Sequence, residues 1–370
     1  MNEPIAFLLN QQQQSYIGPS GLTVLDYLRE EMRMTGTKEG CREGDCGACT
    51  VMLGTCCDGH VVYRPATSCL VPMAEMRGRH LVTIEGLQMA DLTLVQRSLI
   101  AAGAIQCGFC TPGIVMSITC YLLQHPQPPD EAAAKAMLSG HLCRCTGYAA
   151  IKRACELICD AWSEEENEND LARLIRLQVV PPYFARIPAL LSELPSAPAG
   201  TMALPMIAGG TDLYVQKGEQ LSGSDVYSLS LQREPEPVHE INGVLELDGV
   251  MTFQEFMEHP LIRRHLPVNE PFYEEVASWQ VRHRATIAGN LVNASPIADL
   301  AILLLSLNAD LILHGSEGER TLALASFFTG YKTIAKRTDE RIRRIRIGLS
   351  LPDSKIHFAK VCKRDRKSVV

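Results

Sequence analysis

The sequence predicts a multidomain α+β protein, on the basis of its composition, its changing periodicity and one acidic break. The chain has 370 residues, 46% hydrophobic and only 6% aromatic, so it can bury two or three separate cores. The run SEEENENDL at 163–171 is acidic and poor in apolar residues. We therefore predict a small mixed α/β unit at 1–77, a helical unit at 78–162, an acidic linker at 163–180 and a larger α+β unit at 181–370.

The first unit begins with strand-like and then helix-like patterns. Residues 4–9 and 14–17 are typical of two short strands on either side of a polar turn. Residues 23–32 predict a short amphipathic helix, because Val24 and Leu28 recur at helical spacing.

The two later units differ in pattern. Residues 91–162 are helical in pattern, and the prolines and aspartate at 126–130 separate two helical segments. Beyond residue 181, strand and helix patterns alternate, with glycine-rich turns at Gly209 and Gly289.

Charge and hydropathy exclude several classes of partner. The net charge is −7, and no basic block alternates with aromatic residues, so we expect no nucleic-acid binding. No apolar run approaches the roughly 18 residues of a membrane span, and the N-terminus MNEPIAFLLN lacks a basic region before its short apolar run. We expect a cytoplasmic protein, in which the fourteen cysteines serve as metal ligands or buried thiols instead of disulfides.

The stretch CREGDCGACT at 41–50 predicts an iron–sulfur site. Cys41, Cys46 and Cys49 have the spacing C-x4-C-x2-C, and Cys69 follows as a fourth cysteine, which is the plant-type ferredoxin arrangement for a [2Fe-2S] cluster. Small residues such as Gly47 allow the backbone to wrap the cluster and aim N–H groups at its sulfurs. The alternative is a zinc site, but zinc sites usually pair C-x2-4-C knuckles.

A second cysteine group lies in the helical unit. QCGFCTPG provides Cys107 and Cys110, and HLCRCTGY provides Cys143 and Cys145. Taken alone, a C-x2-C pair followed by a C-x-C pair would suit zinc about as well as iron.

The order of these motifs resembles a known family. The ferredoxin loop, TIEGL at 83–87, QCGFCTPG and LCRCTGY occur in the order found in the iron–sulfur half of the molybdenum hydroxylases, the xanthine dehydrogenase and aldehyde oxidase family. The resemblance implies a β-grasp ferredoxin-like domain, a four-helix-bundle domain, and a [2Fe-2S] cluster on each cysteine set. His141 departs from the family, which has asparagine before LCRC, and we expect it to alter the surroundings of the cluster without removing a ligand.

The third unit extends the resemblance to an FAD-binding domain. MIAGGTDL at 206–213 and RATIAGNLVNASPIADL at 284–300 resemble the two flavin-binding loops of the family, and their glycines permit close backbone approach to a pyrophosphate. The resemblance implies that Asp299 accepts hydrogen bonds from the flavin polyol; the alternative is that it is the N-terminal residue of a helix. Lys360 lies where the family has a lysine near the flavin; the alternative is a solvated lysine at the end of a strand. The implied FAD-binding residues are Met206, Ile207, Ala208, Gly209, Gly210, Thr211, Asp212, Leu213, Thr286, Ile287, Ala288, Gly289, Asn290, Asp299 and Lys360.

The resemblance implies electron transfer in which no protein side chain is catalytic. Two iron–sulfur domains fused to an FAD domain resemble the small subunit of a bacterial xanthine dehydrogenase. Electrons would come from a molybdopterin-binding large subunit that oxidises purines, pass through both clusters to FAD and leave to NAD+, with O2 as the other possible acceptor. The family continues for about a hundred residues after KVCKR, so we expect an incomplete flavin domain that binds FAD weakly. The alternatives are an iron–sulfur electron-transfer or assembly protein without a working flavin site, and an aldehyde oxidase-type subunit.

Overall fold

The computed structural model describes residues 3–125, 127–162, 170–195, 204–266, 268, 272, 275–349 and 356–360. Its first unit is a five-stranded sheet in the order β2-β1-β5-β3-β4, in which β1 and β5 are parallel and the other neighbours are antiparallel. These strands are β1 Ile5–Leu9, β2 Gln12–Tyr16, β3 Thr50–Cys57, β4 His60–Thr67 and β5 His80–Val82.

The second strand begins earlier than the sequence predicts. Gln12 already pairs with Leu9, because an edge strand is held by backbone hydrogen bonds and needs no apolar side chains. Strand β5 joins the middle of this sheet, so the sheet extends past the predicted boundary at residue 77.

The predicted first helix is present in two parts. It consists of α1, Val24–Asp26, followed by a π-helical turn, Tyr27–Glu31. Thr23 is its N-cap, since its side chain accepts from the backbone N–H of Asp26. Val24 and Leu28 are fully buried against the sheet, as their spacing predicts.

The helical unit contains four helices that enclose one apolar core. They are α2 Leu94–Ala101, α3 Thr111–Gln124, α4 Glu131–Leu138 and α5 Ala149–Ala161. A capping box between Thr93 and Gln96 fixes the start of α2. The core is continuous with the sheet of the first unit, because Met52 and Tyr63 belong to the same apolar cluster as Ile118.

Part of the predicted linker is folded. Residues 163–169 lie outside the described residues, but helix α6 occupies Asp170–Arg176. Leu174, Val179 and Val180 are buried in the core of the helical unit, and this apolar packing outweighs the acidic composition on which the linker prediction rested. The next segments, a 3-10 helix at Pro182–Arg186 and α7 at Ile187–Ser192, pack into the same core.

The third unit is built around an antiparallel five-stranded sheet in the order β11-β10-β14-β9-β8. Two short pairs, β6 with β7 and β12 with β13, flank it. None of the helices in the described ranges is long and apolar enough to cross a membrane. The strands are β6 Met206–Ile207, β7 Tyr227–Ser228, β8 Val238–Ile241, β9 Val244–Asp248, β10 Asp310–Gly315, β11 Gly318–Ala323, β12 Phe328–Gly330, β13 Thr333–Ile334 and β14 Arg341–Gly348. The helices are α8 Leu213–Ser222, α9 Phe253–Glu258, α10 Pro260–His265, α11 Trp279–Arg282, α12 Ile287–Asn293 and α13 Asp299–Ser306.

A buried histidine makes the stability of the first unit depend on pH. His80 Nε2 donates to the Asn10 carbonyl and Nδ1 accepts from the Tyr63 hydroxyl, each at 2.8 Å, so both nitrogens are satisfied by the neutral ring. Burial lowers the pKa of His80 to about 4. The unfolded chain binds a proton below about pH 6.5, so the stability that neutral His80 contributes is complete above that pH and is lost as the pH falls toward 4.

We therefore predict that His80→Gln reduces the loss of unfolding free energy between pH 7 and pH 5 by about 2 kcal/mol, because glutamine does not titrate. Urea unfolding followed by near-UV circular dichroism at the two pH values measures this. His60→Gln, at an exposed position in the same sheet, is the matched control for the substitution. An unchanged pH dependence in His80→Gln would contradict the assignment.

Candidate iron–sulfur and flavin site

The structure brings the first cysteine set together as two pairs of thiols. Cys41, Cys46 and Cys49 lie on the loop before β3, and Cys69 lies in the 3-10 helix Ser68–Leu70 that follows β4. The thiols of Cys41 and Cys46 are hydrogen-bonded to each other. The sulfurs of Cys49 and Cys69 are 3.4 Å apart and buried.

Backbone N–H groups of the loop point at these sulfurs. The N–H of Glu43 donates to Cys41 at 3.3 Å, and the N–H groups of Gly44 and Ala48 donate to Cys69 and Cys46. The hydrogen bond from the Cys46 thiol and those from the backbone N–H groups of Glu43, Asp45 and Cys46 lower the pKa of Cys41, and the hydrogen bond from Cys69 lowers the pKa of Cys49. In each pair, therefore, one thiol favours the thiolate, the form that binds iron, while the hydrogen bond and burial raise the pKa of its partner, Cys46 or Cys69.

This arrangement fits a two-iron cluster better than a single ion. A [2Fe-2S] cluster needs two protein sulfurs on each iron, and the four thiols are gathered as two pairs.

The second cysteine set lies at the surface end of the helical unit. Cys110 caps α3 and is hydrogen-bonded to Cys143, and both are buried. Cys107 and Cys145 are exposed, and Gln106 joins their two loops by donating to the Cys145 carbonyl at 3.2 Å.

Two residues fix the C-x-C turn and were not singled out by the sequence reasoning. The Tyr148 hydroxyl accepts from the Cys143 N–H at 3.0 Å and donates to the His141 carbonyl at 2.7 Å. The Thr146 hydroxyl lies 3.0 Å from the Cys143 sulfur and contributes to lowering the pKa of Cys143 against the effect of burial. Both lie within the motif HLCRCTGY, so the motif contained them but spacing alone did not assign their roles.

A hydrogen bond connects the two cysteine sets. The N–H of Leu142, next to Cys143, donates to the carbonyl of Cys46 at 3.1 Å. Gly47 permits this approach, because a Cβ there would lie 2.4 Å from both the Gly140 carbonyl oxygen and His141 Nδ1.

His141 lies between the two sets and is completely buried. Its Nε2 is 2.7 Å from the Ser117 hydroxyl and 2.8 Å from the Gln280 amide nitrogen, which belongs to the third unit. Burial lowers the pKa of His141 to about 3, so the ring is neutral. The departure from the family thus places a neutral imidazole against the first cysteine loop, and no cysteine is displaced.

The two predicted flavin loops are in contact. Arg284 Nη2 donates to the Gly209 carbonyl at 2.6 Å, and a Cβ on Gly209 would lie 2.1 Å from the Arg284 carbonyl oxygen. Gln216 of α8 also donates to Asn293 of α12 at 3.0 Å. Gly209 is therefore required for the packing of one loop on the other.

The predicted FAD-binding residues divide into buried and accessible positions. Ile207, Ile287 and Ala288 are buried in apolar clusters, and the N–H groups of Ile287 and Ala288 donate to the carbonyls of Met251 and Gly249. Thr286 caps α12 by accepting from Gly289 at 3.1 Å. The side-chain oxygen of Asn290 is buried and has no partner among the described residues, which fits a donor from a bound ligand.

Asp299 and Lys360 contact each other. Lys360 Nζ donates to Asp299 Oδ2 at 2.8 Å and to the Glu275 carbonyl at 3.1 Å. Asp299 also begins α13, so the helix-terminal role weighed from the sequence coexists with the ion pair.

The first cysteine set and the first flavin loop share one apolar core. Cys49 and Cys69 belong to the same buried cluster as Ile207 and Tyr214. A Cβ on Gly210 would lie 3.0 Å from the carbonyl oxygen of Leu70, the residue after Cys69.

Two cysteine sets and a glycine-loop domain define an iron–sulfur flavoprotein. Residues 7–74 match a family model described as a 2Fe-2S iron-sulfur cluster binding domain, and residues 83–156 match a [2Fe-2S] binding domain. Residues 183–349 match the FAD binding domain in molybdopterin dehydrogenase.

Similar proteins agree with these matches. Xanthine dehydrogenase of Drosophila subobscura is 28% identical over 429 residues, which covers 97% of this chain and 32% of that protein. Human aldehyde oxidase is 43% identical over 140 residues, which covers 37% of this chain and 10% of that protein. The crystal structure of quinoline 2-oxidoreductase from Pseudomonas putida 86 includes a chain with 35% identity, of which 94% is covered, against 43% of this chain, with a TM-score of 0.37.

The chain belongs to the xanthine dehydrogenase and aldehyde oxidase family of molybdenum hydroxylases, and it carries the two [2Fe-2S] domains and the FAD-binding domain of that family. The predicted fold class and cofactors of the chain are confirmed. The chain spans less than a third of the length of these curated relatives.

We predict that Cys46→Ser removes or distorts one cluster and leaves the other, because each iron needs two thiolates. Iron should fall from about four toward about two per chain, with loss of one of two electron paramagnetic resonance signals. Cys56→Ser, at an exposed position on β3, is the control and keeps both clusters. Full iron content and unchanged spectra in Cys46→Ser would show that the ligand assignment is wrong.

We also predict that Gly289→Val weakens FAD binding by about tenfold or more, since it places a branched side chain beside the proposed pyrophosphate position. Its Cβ would lie 2.8 Å from the Thr286 hydroxyl oxygen that caps α12. Flavin fluorescence titration measures the affinity. The control is Gly348→Val at the end of β14, where a Cβ meets open space. Equal affinities in the two variants would contradict the placement of the pyrophosphate.

Proposed function

We propose that this chain is the electron-transfer part of a xanthine dehydrogenase-type molybdenum hydroxylase, an oxidoreductase of the EC 1.17.1.4 kind. The observation that carries the proposal is the central position of the first cysteine loop. The Cys46 carbonyl accepts from the residue next to Cys143 on one side, and Leu70, next to Cys69, contacts the flavin loop on the other.

These contacts support one order of cofactors. The second cysteine set has two exposed members, the first set has none, and the flavin loops contact the first set. When bound, the two [2Fe-2S] clusters carry single electrons and FAD passes electron pairs on to NAD+ as hydride. The eight cysteine side chains would hold the irons, and the N–H groups of the loop at 206–213 would hold the FAD pyrophosphate. The loop at 286–290 would lie against it without donating its N–H groups, because those of residues 287–290 already donate to Met251, Gly249 and Thr286. Burial of Cys49 and Cys69 excludes water from the site between them.

The surface around the second set suits a molybdopterin-binding large subunit. Cys107 and Cys145 are exposed, and the neighbouring Ile105, Phe109 and Leu142 expose 39%, 48% and 51% of their surfaces. Apolar residues with this exposure favour a protein partner. We place the complex in the cytoplasm, where the thiols stay reduced. Its substrate would be xanthine or hypoxanthine, as the fused arrangement of domains favours.

An aldehyde oxidase-type hydroxylase is the second candidate. The iron–sulfur half of the chain is 43% identical to human aldehyde oxidase, against 28% over most of the chain for the Drosophila xanthine dehydrogenase. Reduction of the assembled complex by xanthine and not by an aldehyde, with NAD+ as acceptor, would support the first candidate; the opposite preference would support the second.

We predict that Cys107→Ala abolishes reduction of FAD by the partner's substrate and leaves its reduction by NADH intact, because the second cysteine set lies on the partner side of the flavin. Stopped-flow absorbance of the assembled complex measures both rates. Cys159→Ala, a half-buried cysteine of α5, is the control and preserves both. Equal loss of both reactions in a Cys107→Ala protein that keeps its fold would refute the order.

A further inference from the structure

Arg284 joins the first unit to both flavin loops through one buried guanidinium. It is the first residue of the second flavin loop, two residues after the end of α11, and its side chain is 6% exposed. Nη1 and Nη2 donate to the two carboxylate oxygens of Glu75 at 3.1 and 2.9 Å. Nη2 also donates to the Gly209 carbonyl at 2.6 Å and contacts the Leu70 carbonyl at 3.4 Å.

The partners of Arg284 come from each side of the proposed electron path. Leu70 follows the cluster ligand Cys69, and Glu75 lies in the 3-10 helix Met73–Met76 a few residues later. Gly209 belongs to the first flavin loop. A planar guanidinium presents several donors in a fixed fork, so it can hold a carboxylate and two carbonyls together; an ammonium group lacks this geometry.

The carboxylate of Glu75 is charged in this environment. Burial by itself would raise its pKa, but the charges and hydrogen bonds of Arg284 and Arg79 lower it. Arg79 donates to Glu75 Oε2 at 3.2 Å and to the Ser230 hydroxyl at 3.4 Å. Arg79 therefore shares the same carboxylate but has no hydrogen bond to either flavin loop among those described, which makes it a matched comparison.

We propose that Arg284 is a positioning residue that holds the first flavin loop against the segment carrying Cys69, and thereby sets the placement of FAD relative to the first cluster. The inference rests on the proposed flavin site. Loss of the guanidinium frees Gly209 and Leu70 from a common donor and leaves Glu75 with Arg79 and Ser230. The first flavin loop is then no longer held in position against the segment that carries Cys69, while the four cysteine ligands of the first set are unchanged.

The test compares Arg284→Met, Arg284→Lys and Arg79→Met in the full chain. In Arg284→Met we expect FAD affinity to fall by about tenfold or more and hydrogen exchange of residues 206–213 to rise, with iron content unchanged. In Arg79→Met we expect less than about a threefold change in affinity. Arg284→Lys keeps the charge beside Glu75 but cannot span all three partners, so its affinity and exchange should lie between those of the wild type and Arg284→Met.

Two results would overturn the proposal. Equal losses in Arg79→Met and Arg284→Met would assign the effect to the buried ion pair alone. Wild-type FAD affinity and hydrogen exchange in Arg284→Lys would show that the positive charge, and not the bridge to Gly209 and Leu70, positions the flavin loop. If Arg284→Met does not fold, Arg284→Lys alone decides between the two. Failure of the wild-type chain to bind FAD would instead refute the proposed flavin site, and exchange in the flavin-free chains would still test the bridge.

Discussion

The close packing of the Cys41–Cys49 loop against the helical unit is the constraint on which the rest of the structure depends. At this contact backbone meets backbone, because a side chain on Gly47 would collide with Gly140 and one on Gly113 would approach the Gly47 carbonyl oxygen to 2.2 Å. The hydrogen bond from Leu142 to Cys46 forms only at this distance. Cys49, at the end of this loop, contacts Cys69, and the neighbouring Leu70 lies beside the first flavin loop. The spatial order of the cofactor sites therefore depends on this one interface between the cysteine loop and the helical unit.

Buried polar groups at the two interfaces specify this geometry. Gln280 of the third unit donates to Ser117 and to the Met137 carbonyl inside the helical unit, and Arg284, four residues later, reaches Glu75 in the first unit. Burial of an amide or a charge is costly unless its partners are in place, so an altered orientation of the third unit would leave both groups unpaired. These contacts select one arrangement of the three units more strongly than apolar packing alone would.

The sequence predicted what depends on local spacing and missed what depends on distant contacts. The cysteine sets were recognisable because three ligands lie on one loop and the other pairs lie in short motifs. Arg284 was not recognisable, because its partners Glu75 and Gly209 are far away in the chain. The segment 170–180 was assigned to a linker because acidic residues precede it, yet Leu174 and Val180 bury it in the helical core. Composition describes the average polarity of a segment, whereas its fold depends on the few apolar side chains that are buried in a core.

The most direct test of the account is a joint measurement of iron, sulfide, FAD and zinc in the purified chain, with electron paramagnetic resonance of the dithionite-reduced sample. The account predicts about four irons and four sulfides per chain, with two distinguishable [2Fe-2S] signals. A colourless protein that contains zinc, or a chain with only one cluster signal and about two irons, would contradict it.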